Sequence, residues 1–199
     1  MGFVFFDFLQ YFQRIKNEPM HSASDTHPSS IFRYCPKCSH QGFVFDGVKA
    51  FSCEKCGFRY YINAATAVAV ILQLPDQRII LTRRKFEPRI GTFDLPGGFV
   101  DIKERVEDAV KREIMEELGI QVKTLEFLAS FPNEYVYKGI SYFTCDLAFV
   151  CPVDDISNLK AADDVAEAIV VYPNDIDYDV ISFPSIVHIL KMYVTRIKG

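Results

Sequence analysis

Hydrophobic residues recur at helical spacing in the middle of the chain and again near its C-terminal end. In the middle, an apolar residue returns every three or four positions, which predicts an amphipathic helix over roughly 102–118. Asp101 followed by Glu104 has the spacing of a capping box, and Gly119 suits the position just past the helix. A second helix is predicted from about Pro184 to Arg196. The two apolar stripes are Val106, Ala109, Val110, Ile114 and Leu118, and Ile186, Ile189, Leu190 and Tyr193.

Apolar runs around the first helix predict strands. Residues 63–75 and 78–84 are apolar runs separated by a polar turn, so they predict a hairpin over 64–84. Residues 85–97 are predicted to be a loop that ends in a short strand. After the helix, the predicted strands cover 121–132 and 134–142, around a turn at Pro132-Asn133, and then 143–150 and 165–171.

Three glutamates of the first helix lie in line with its apolar stripe. At about 100° per residue, Glu113 and Glu117 fall within roughly 20° of Val106, and Glu116 lies near Ala109. A solvated face would lie opposite the stripe. Residues three and four apart are neighbours on a helix, so the three carboxylates converge. A salt-bridged surface helix is the alternative, and this position on the helical wheel disfavours it.

The converging carboxylates indicate a cation site. Like charges raise one another's pKa unless a cation compensates, and Arg112 supplies only one positive charge. Carboxylate oxygens suit Mg²⁺, whose coordination is usually completed by water and substrate phosphates. The Leu-Pro-Gly-Gly turn at 95–98 brings backbone close to the same place, because glycine permits close approach. We therefore predict Mg²⁺ (or Mn²⁺) held by Glu113, Glu116 and Glu117, with the Gly97 carbonyl as a further ligand.

A second metal site is predicted from cysteine spacing. Cys35 and Cys38 form one CxxC pair, and Cys53 and Cys56 form another, with 14 residues between the pairs. Four thiolates fill the tetrahedral shell of Zn²⁺ and leave no open position, which predicts a structural zinc in a small ribbon of strands over 32–62. Two disulfides or a redox pair are the alternatives. His40 is a substitute ligand that the spacing does not require.

Composition limits the function classes. The net charge is −4 and the pI is about 5.6, which does not favour electrostatic binding of nucleic acid. No apolar run reaches the roughly 18 residues of a transmembrane helix. The chain holds six cysteines and lacks the pattern of a signal peptide, which favours a reducing, cytoplasmic compartment.

The N-terminal segment has two interpretations. Residues 1–19 are aromatic-rich and form either an amphipathic helix that docks on the body, a partner or a membrane surface, or an extension upstream of a true start at Met20. Residues 20–31 are polar by composition and are predicted to be a linker, with His21 and His27 solvated.

The segment from Gly98 to Ile120 resembles the Nudix box. That signature is Gly, five residues, Glu, seven residues, then Arg-Glu-aliphatic-x-Glu-Glu-x-Gly-aliphatic. Every fixed position is matched, by Gly98, Glu104, Arg112, Glu113, Ile114, Glu116, Glu117, Gly119 and Ile120. The resemblance implies hydrolysis of a nucleoside diphosphate linked to another group. It also implies an α/β fold, a Nudix-type α/β/α sandwich on a mixed sheet over 63–199, preceded by the zinc ribbon at 32–62 and by the extension and linker at 1–31.

The ribbon narrows the resemblance to the NADH pyrophosphatase group, and Arg59-Tyr60-Tyr61 fits that group too. That group carries a Ser-Gln-Pro-Trp-Pro-Phe-Pro-x-Ser element after the box, whereas this chain has no Trp. NADH, NAD⁺, ADP-ribose, another dinucleotide and a nucleoside triphosphate therefore stay open as substrates. The predicted partner is a nucleotide-type small molecule, and a homodimer is left open.

The resemblance also assigns roles to individual residues. Arg112 orients the carboxylates, and Glu104 supports the helix start and the metals. In the NADH pyrophosphatase type, a glutamate outside the box approaches the metals. Glu167 occupies the matching place, with Asp164 as the substitute. The general base is Glu116, Glu167 or another residue.

Two further expectations concern the substrate, and two concern other activities. Arg83 or Arg84 is a candidate phosphate clamp, and Tyr135, Tyr137 or Phe86 is a candidate for stacking on a base. A Nudix-type sensor would bind a nucleotide without cleaving it, but it usually has a degraded box. An isoprenoid-diphosphate isomerase would need a catalytic cysteine that is not recognisable here.

Overall fold

The computed structural model describes residues 25–198 and divides the chain into two compact units. One unit comprises the chain up to Asn63 together with Gly139–Ser141, and the other comprises Ala64–Lys138 and Tyr142 onward. The aromatic-rich segment 1–19 and His21 lie outside the described residues. None of the described helices is long and apolar enough to cross a membrane.

The smaller unit is a ribbon of three short antiparallel strands in the order β1-β2-β3. Its elements are the short helix α1 (Pro28–Ile31) and the strands β1 (Phe43–Phe45), β2 (Ala50–Cys53) and β3 (Arg59–Tyr61). The chain turns at Asp46-Gly47, where one Asp46 carboxylate oxygen accepts backbone N–H groups of residues 48, 49 and 50. The Phe43 and Phe51 rings stack at 5.1 Å and fill the small core.

The prediction that His27 is solvated is wrong. His27 is buried, its ring centroid lies 5.1 Å from that of Phe45, and its Nδ1 accepts the backbone N–H of Ser29. Composition predicted a linker because Ser, His and Pro are polar or turn-forming residues. The aromatic side chains of the ribbon instead cover this stretch, and the last part of the predicted linker forms α1.

The larger unit contains a mixed six-stranded sheet in the order β6-β5-β4-β8-β7, with β9 paired to β5. Strands β4 and β8 are parallel, and β5 is antiparallel to β4, β6 and β9. The strands are β4 (Ala65–Gln73), β5 (Ile79–Arg84), β6 (Phe93–Asp94), β7 (Glu126–Tyr137), β8 (Ile140–Pro152) and β9 (Val165–Val171). The helices are α2 (Val106–Leu118) and α3 (Pro184–Lys198), with 3₁₀ turns at Pro173–Asp175 and Tyr178–Val180.

Alternation along β4 builds two cores on opposite faces of this sheet. Val70 belongs to the cluster that holds Ile114 of α2, whereas Ile71 belongs to the cluster that holds Leu190 of α3. Successive side chains of a strand point to opposite faces, so the two helices cover the two sides of the sheet. The predicted α/β/α sandwich is confirmed.

Helix α2 begins four residues later than predicted. Lys103 has φ 69°, a left-handed conformation that interrupts a right-handed helix. Glu104 accepts the backbone N–H of Asp101 at 2.9 Å, so the capping-box spacing forms a turn that precedes the helix. The predicted end is confirmed, because Gly119 has φ 67° and donates its N–H to the Met115 carbonyl.

The predicted turn at Pro132-Asn133 is also wrong. Strand β7 runs through both residues, and the chain turns at Lys138 and Gly139, with φ values of 49° and 77°. Two successive positive φ values are typical of a type I′ hairpin turn. Pro132 is tolerated because β7 lies at the edge of the sheet, where a missing N–H removes no ladder bond.

Candidate active site

The site is built where α2 meets the glycine turn that precedes it. The turn lies alongside β4 and is hydrogen-bonded to it. Val68 donates its N–H to the Gly98 carbonyl and Val70 donates its N–H to the Pro96 carbonyl, each at 2.8 Å. Glu117 is 4% exposed, and one of its carboxylate oxygens accepts the Gly97 N–H at 2.9 Å. The hydrophobic stripe of α2 therefore fixes Glu117 against the backbone of the turn.

The turn requires glycine at 97, and at 98 a side chain would displace the Glu113 carboxylate. Gly97 has φ 143°, and a Cβ there would overlap the Val68 carbonyl oxygen. A Cβ on Gly98 would lie 2.6 Å from the Glu113 carboxylate. The close approach that the Gly-Gly sequence predicted is thus an approach of backbone to the carboxylates of α2.

Arg112 ties three carboxylates together. Its guanidinium donates two hydrogen bonds to Glu104, each 2.8 Å long. It also donates to Glu113 at 2.7 Å and to Glu116 at 3.1 Å. A fifth bond goes to the Phe99 carbonyl at 3.0 Å. The planar guanidinium of one arginine thus joins Glu104, which precedes α2, to Glu113 and Glu116 within α2.

The acids of this cluster differ in their electrostatics. The Arg112 guanidinium and the Asp101 N–H lower the pKa of Glu104 to about 2. Burial, followed by the negative charge of Asp164, raises the pKa of Glu117 to about 10, and the Gly97 N–H only partly opposes this. Burial also raises the pKa of Glu113, although Arg112 is beside it. The cluster therefore has more negative charge than its own cation neutralises.

Asp164 joins the acids of α2, whereas Glu167 takes another partner. The negative charge of Asp164 lies close enough to the Glu117 carboxyl to raise its pKa, and the backbone carbonyl of Asp164 accepts the Lys85 N–H at 2.9 Å. Glu167 lies opposite Arg83 in the β5–β9 pairing and forms a salt bridge with it at 2.8 Å. The two acids lie on either side of the first residue of β9, Val165. The pairing register of β9 with β5 therefore decides which acid faces the site.

A cavity of about 270 Å³ borders the turn and the acid cluster. Gly97, Gly98 and Asp164 belong to its lining. The other polar side chains of the lining are Arg84, Glu87, Asp94, Asn133, Thr144 and Asp146, and its aromatic side chains are Phe99, Tyr135, Tyr137 and Phe183.

Several residues predicted to contact a substrate line this cavity. Tyr135 and Tyr137 do, and so does Arg84, which also pairs with Asp94 at 3.1 Å. Phe86 lies in a separate surface groove and is 56% exposed. The sequence interpretation missed Asp146, although one acid inside the apolar run 143–150 was a usable signal.

The four ribbon cysteines converge as their spacing predicted. All are free thiols, and their four sulfur atoms lie within 4.8 Å of one another. The Sγ atoms of Cys35 and Cys56 are 3.7 Å apart, and those of Cys38 and Cys53 are 3.6 Å apart. Tetrahedral Zn²⁺ with bonds of about 2.3 Å separates its sulfur ligands by roughly 3.8 Å. The donor set therefore fits zinc and excludes the two disulfides, and His40 is outside it.

The chain matches known proteins over more than half of its length. It is 33% identical over 131 residues to the NAD-capped RNA hydrolase NudC of Klebsiella pneumoniae, covering 66% of this chain and 50% of that protein. It is 36% identical over 114 residues to the protein of the same name from Escherichia coli O1:K1, covering 57% and 44%. The chain thus spans about half the length of the curated relatives it matches.

Solved structures agree on the fold. A NUDIX hydrolase from Nitrosomonas europaea superposes with a TM-score of 0.61 at 22% identity, covering 84% of this chain and 94% of that one. The model of the NUDIX domain matches residues 64–186, which include the glycine turn, α2 and Asp164. The chain therefore belongs to the Nudix family.

Proposed function

We propose that this protein is a metal-dependent hydrolase that cleaves the pyrophosphate bond of a nucleoside diphosphate linked to another group. NAD(H) and ADP-ribose are the proposed substrates. One observation carries the proposal: the acids of α2 and Asp164 converge beside the Gly97-Gly98 turn, at the border of a cavity, with a surplus of negative charge. The relatives named NAD-capped RNA hydrolase support an NAD-type substrate.

The proposed metal ligands are Glu113, Glu116, Glu117 and the Gly97 carbonyl. Their donors are oxygens, as Mg²⁺ or Mn²⁺ requires, and two of the acids have raised pKa values that a bound cation would reverse. When bound, the metal lowers the pKa of its water and neutralises charge on the phosphates. Arg112 holds Glu113 and Glu116 in place, and the Gly97 N–H holds Glu117.

We propose Asp164 as the acid that acts from outside the helix. Its charge acts on Glu117, whose pKa it raises, and it lines the cavity. Glu167 would have to leave Arg83 before it could take this part. A carboxylate at Asp164 is placed to accept a proton from an attacking water, which makes it a candidate general base beside Glu116 and Glu167.

We also propose that the cysteine cluster binds a structural zinc. Four thiolates close the tetrahedral shell, so the metal holds the ribbon together and has no open position for chemistry. The ribbon core is small, and metal binding supplies the folding free energy that its few aromatic contacts do not. Free thiols in this arrangement fit a reducing, cytoplasmic compartment.

The function is tested by turnover of a compound panel with Mg²⁺ or Mn²⁺, followed by chromatography of the phosphate products. The panel holds NADH, NAD⁺, ADP-ribose, diadenosine polyphosphates, nucleotide sugars and nucleoside triphosphates. We expect NAD(H) or ADP-ribose to yield AMP, and E117Q to lower kcat about a hundredfold or more, because even indirect supports of metal ligands are worth 10–100-fold.

Two results would contradict this proposal. If no compound in the panel is turned over, the proposal that the protein is a hydrolase is wrong. Binding of a compound without turnover would indicate a sensor. Near-normal turnover by E117Q, with the same melting temperature as the wild type, would remove the metal role of Glu117.

A matched pair of variants separates the two acids outside the helix. We expect D164N to lower kcat by at least about tenfold and E167Q to change it by less, because the charge of Asp164 acts on Glu117 whereas Glu167 is paired with Arg83. Both variants remove one charge and keep the side-chain shape. The reverse order of effects would return the role to Glu167.

The raised pKa of Glu117 predicts a pH-dependent stability of the magnesium-free protein. Its pKa is about 10 in the folded state, whereas a glutamate in the unfolded chain has its ordinary pKa of 4.5, so the folded protein binds an extra proton between these values. Stability therefore falls as pH rises through that window. We expect the melting temperature to drop between pH 6 and pH 9 in Mg²⁺-free buffer, and the drop to be smaller in E117Q.

The more exposed Glu116 provides the control for that measurement. E116Q also removes a carboxylate of α2 but leaves Glu117 buried, so it should keep most of the drop. The same pH dependence in E117Q and the wild type would show that Glu117 does not hold the extra proton.

The zinc proposal is tested with C53S. We expect it to lose bound zinc and to make the chain before residue 63 sensitive to protease, because one ligand of four is gone. C145S is the control, since Cys145 lies in β8 outside the cluster. Unchanged zinc content in C53S by elemental analysis would overturn the proposal.

A further inference from the structure

Asp146 is a buried carboxylate that faces the cavity and has no part in the proposed metal site. It lies in the middle of β8, is 6% exposed, and belongs to the cavity lining. Its neighbours along the strand are apolar, and a charged group in such a place is costly unless it is well paired. Its presence therefore calls for an explanation.

The hydrogen bonds of Asp146 use only part of its capacity. The Thr144 hydroxyl donates to one carboxylate oxygen and the Ser185 hydroxyl donates to the other, each at 2.6 Å. An ionised carboxylate accepts about four hydrogen bonds. Within residues 25–198, no ion pair joins Asp146 to a basic side chain. Both hydroxyls are themselves buried, and Asp146 lines the cavity, so a ligand in the cavity can reach the carboxylate.

The sheet leaves room beside this carboxylate. Ala67 lies in register with Asp146 on the parallel strand β4, and Ala69 lies in register with Ala148. Paired residues of neighbouring strands point to the same face, so two methyl groups stand where larger side chains would close the cavity.

Aromatic rings flank the same space. Tyr135 lines the cavity, with its ring centroid 6.2 Å from that of Phe99 and 5.9 Å from that of Phe183. Rings in such an arrangement present flat apolar surfaces that suit a planar group. The cavity thus combines a wall for a planar ring with an acceptor that is built into the sheet.

We propose that Asp146 determines base specificity by accepting a hydrogen bond from the amino group of a planar base. The ligand class is a nucleotide whose ring carries an NH₂ donor, as the exocyclic amine of adenine or the amide of nicotinamide does. The inference rests on the proposed function and names the recognition element of its substrate. An acceptor-only site favours donors and rejects a carbonyl or carboxylate at the same position, because two acceptors then face each other.

A purely structural role for Asp146 makes a different prediction. The Ser185 bond could serve only to fasten the first turn of α3 to the sheet. In that case Asp146 would affect stability and the affinities of all nucleotides alike. The ratio of affinities for two nucleotides that differ at one ring substituent therefore separates the two roles.

The experiment is calorimetric titration of the full chain with mononucleotides, which have no anhydride bond to cleave. AMP is compared with IMP, and nicotinamide mononucleotide with nicotinic acid mononucleotide. We expect the amino compound of at least one pair to bind about tenfold tighter or more, as the loss of a hydrogen bond to a charged group implies. The pair that shows the preference identifies the base.

D146N is the decisive variant, and T144V is its matched control. Asparagine keeps one acceptor but adds an NH₂ donor, so D146N should lose or invert the preference by favouring the carbonyl compound. T144V removes a hydroxyl from the same network and leaves the acceptor in place, so it should keep the preference. A preference that D146N retains would overturn the proposal.

The wild-type measurement decides even if D146N does not fold. Equal affinities within both pairs, or no binding of any of the four mononucleotides, would overturn the inference. Turnover of ADP-ribose with no base preference would remove the role of Asp146 and leave the hydrolase. A base preference without turnover of any compound would support the role of Asp146 and contradict the hydrolase proposal.

Discussion

The contact between the buried Glu117 carboxylate and the Gly97 N–H is the constraint on which the site depends. It requires two surfaces to meet at hydrogen-bond distance: a helix fixed by its apolar stripe, and a turn fixed by Val68 and Val70 on β4. Glycine is needed at 97 because a Cβ would overlap the Val68 carbonyl, and a Cβ at 98 would displace the Glu113 carboxylate from its position. The residues of the Nudix-like segment thus share one geometric task, which is to bring backbone and acids together without water between them.

The sheet explains why such an arrangement is stable. Strand β4 packs against α2 on one face and α3 on the other, so the turn lies against a strand that is covered on both faces. That rigid support offsets the cost of crowding like charges, because local relaxation would have to disrupt both cores. Strand β8 lies parallel to β4 and brings Asp146 to the cavity from a distant part of the sequence.

The sequence predicted features set by local periodicity and failed where distant segments decide. The face of α2 that carries Glu113 and Glu117 follows from 3.6-residue spacing, and the cysteine cluster follows from the two CxxC pairs. His27 was misjudged because only the folded ribbon supplies the Phe45 ring that covers it. The hairpin turn was misplaced because proline was taken to end a strand. An edge strand tolerates proline, and the sequence around Pro132 does not show that β7 lies at the edge of the sheet. The choice between Asp164 and Glu167 depends on the register of β9 against β5, which no short motif encodes.

Three carboxylates near the cavity show how environment divides the work of one functional group. Glu104 is neutralised by Arg112, which lowers its pKa and suits it to hold the turn before α2. Glu117 is buried among like charges, so its ionised form needs a partner that the polypeptide does not supply. Asp146 is held by two neutral hydroxyls, which orient its oxygens and leave its charge uncompensated. A bound metal would compensate the charge of Glu117, and a hydrogen-bond donor on a ligand would pair with Asp146. Asp146 lines the cavity, and Glu117 binds the N–H of Gly97, which lines the same cavity, as the two ends of a nucleoside diphosphate substrate would require.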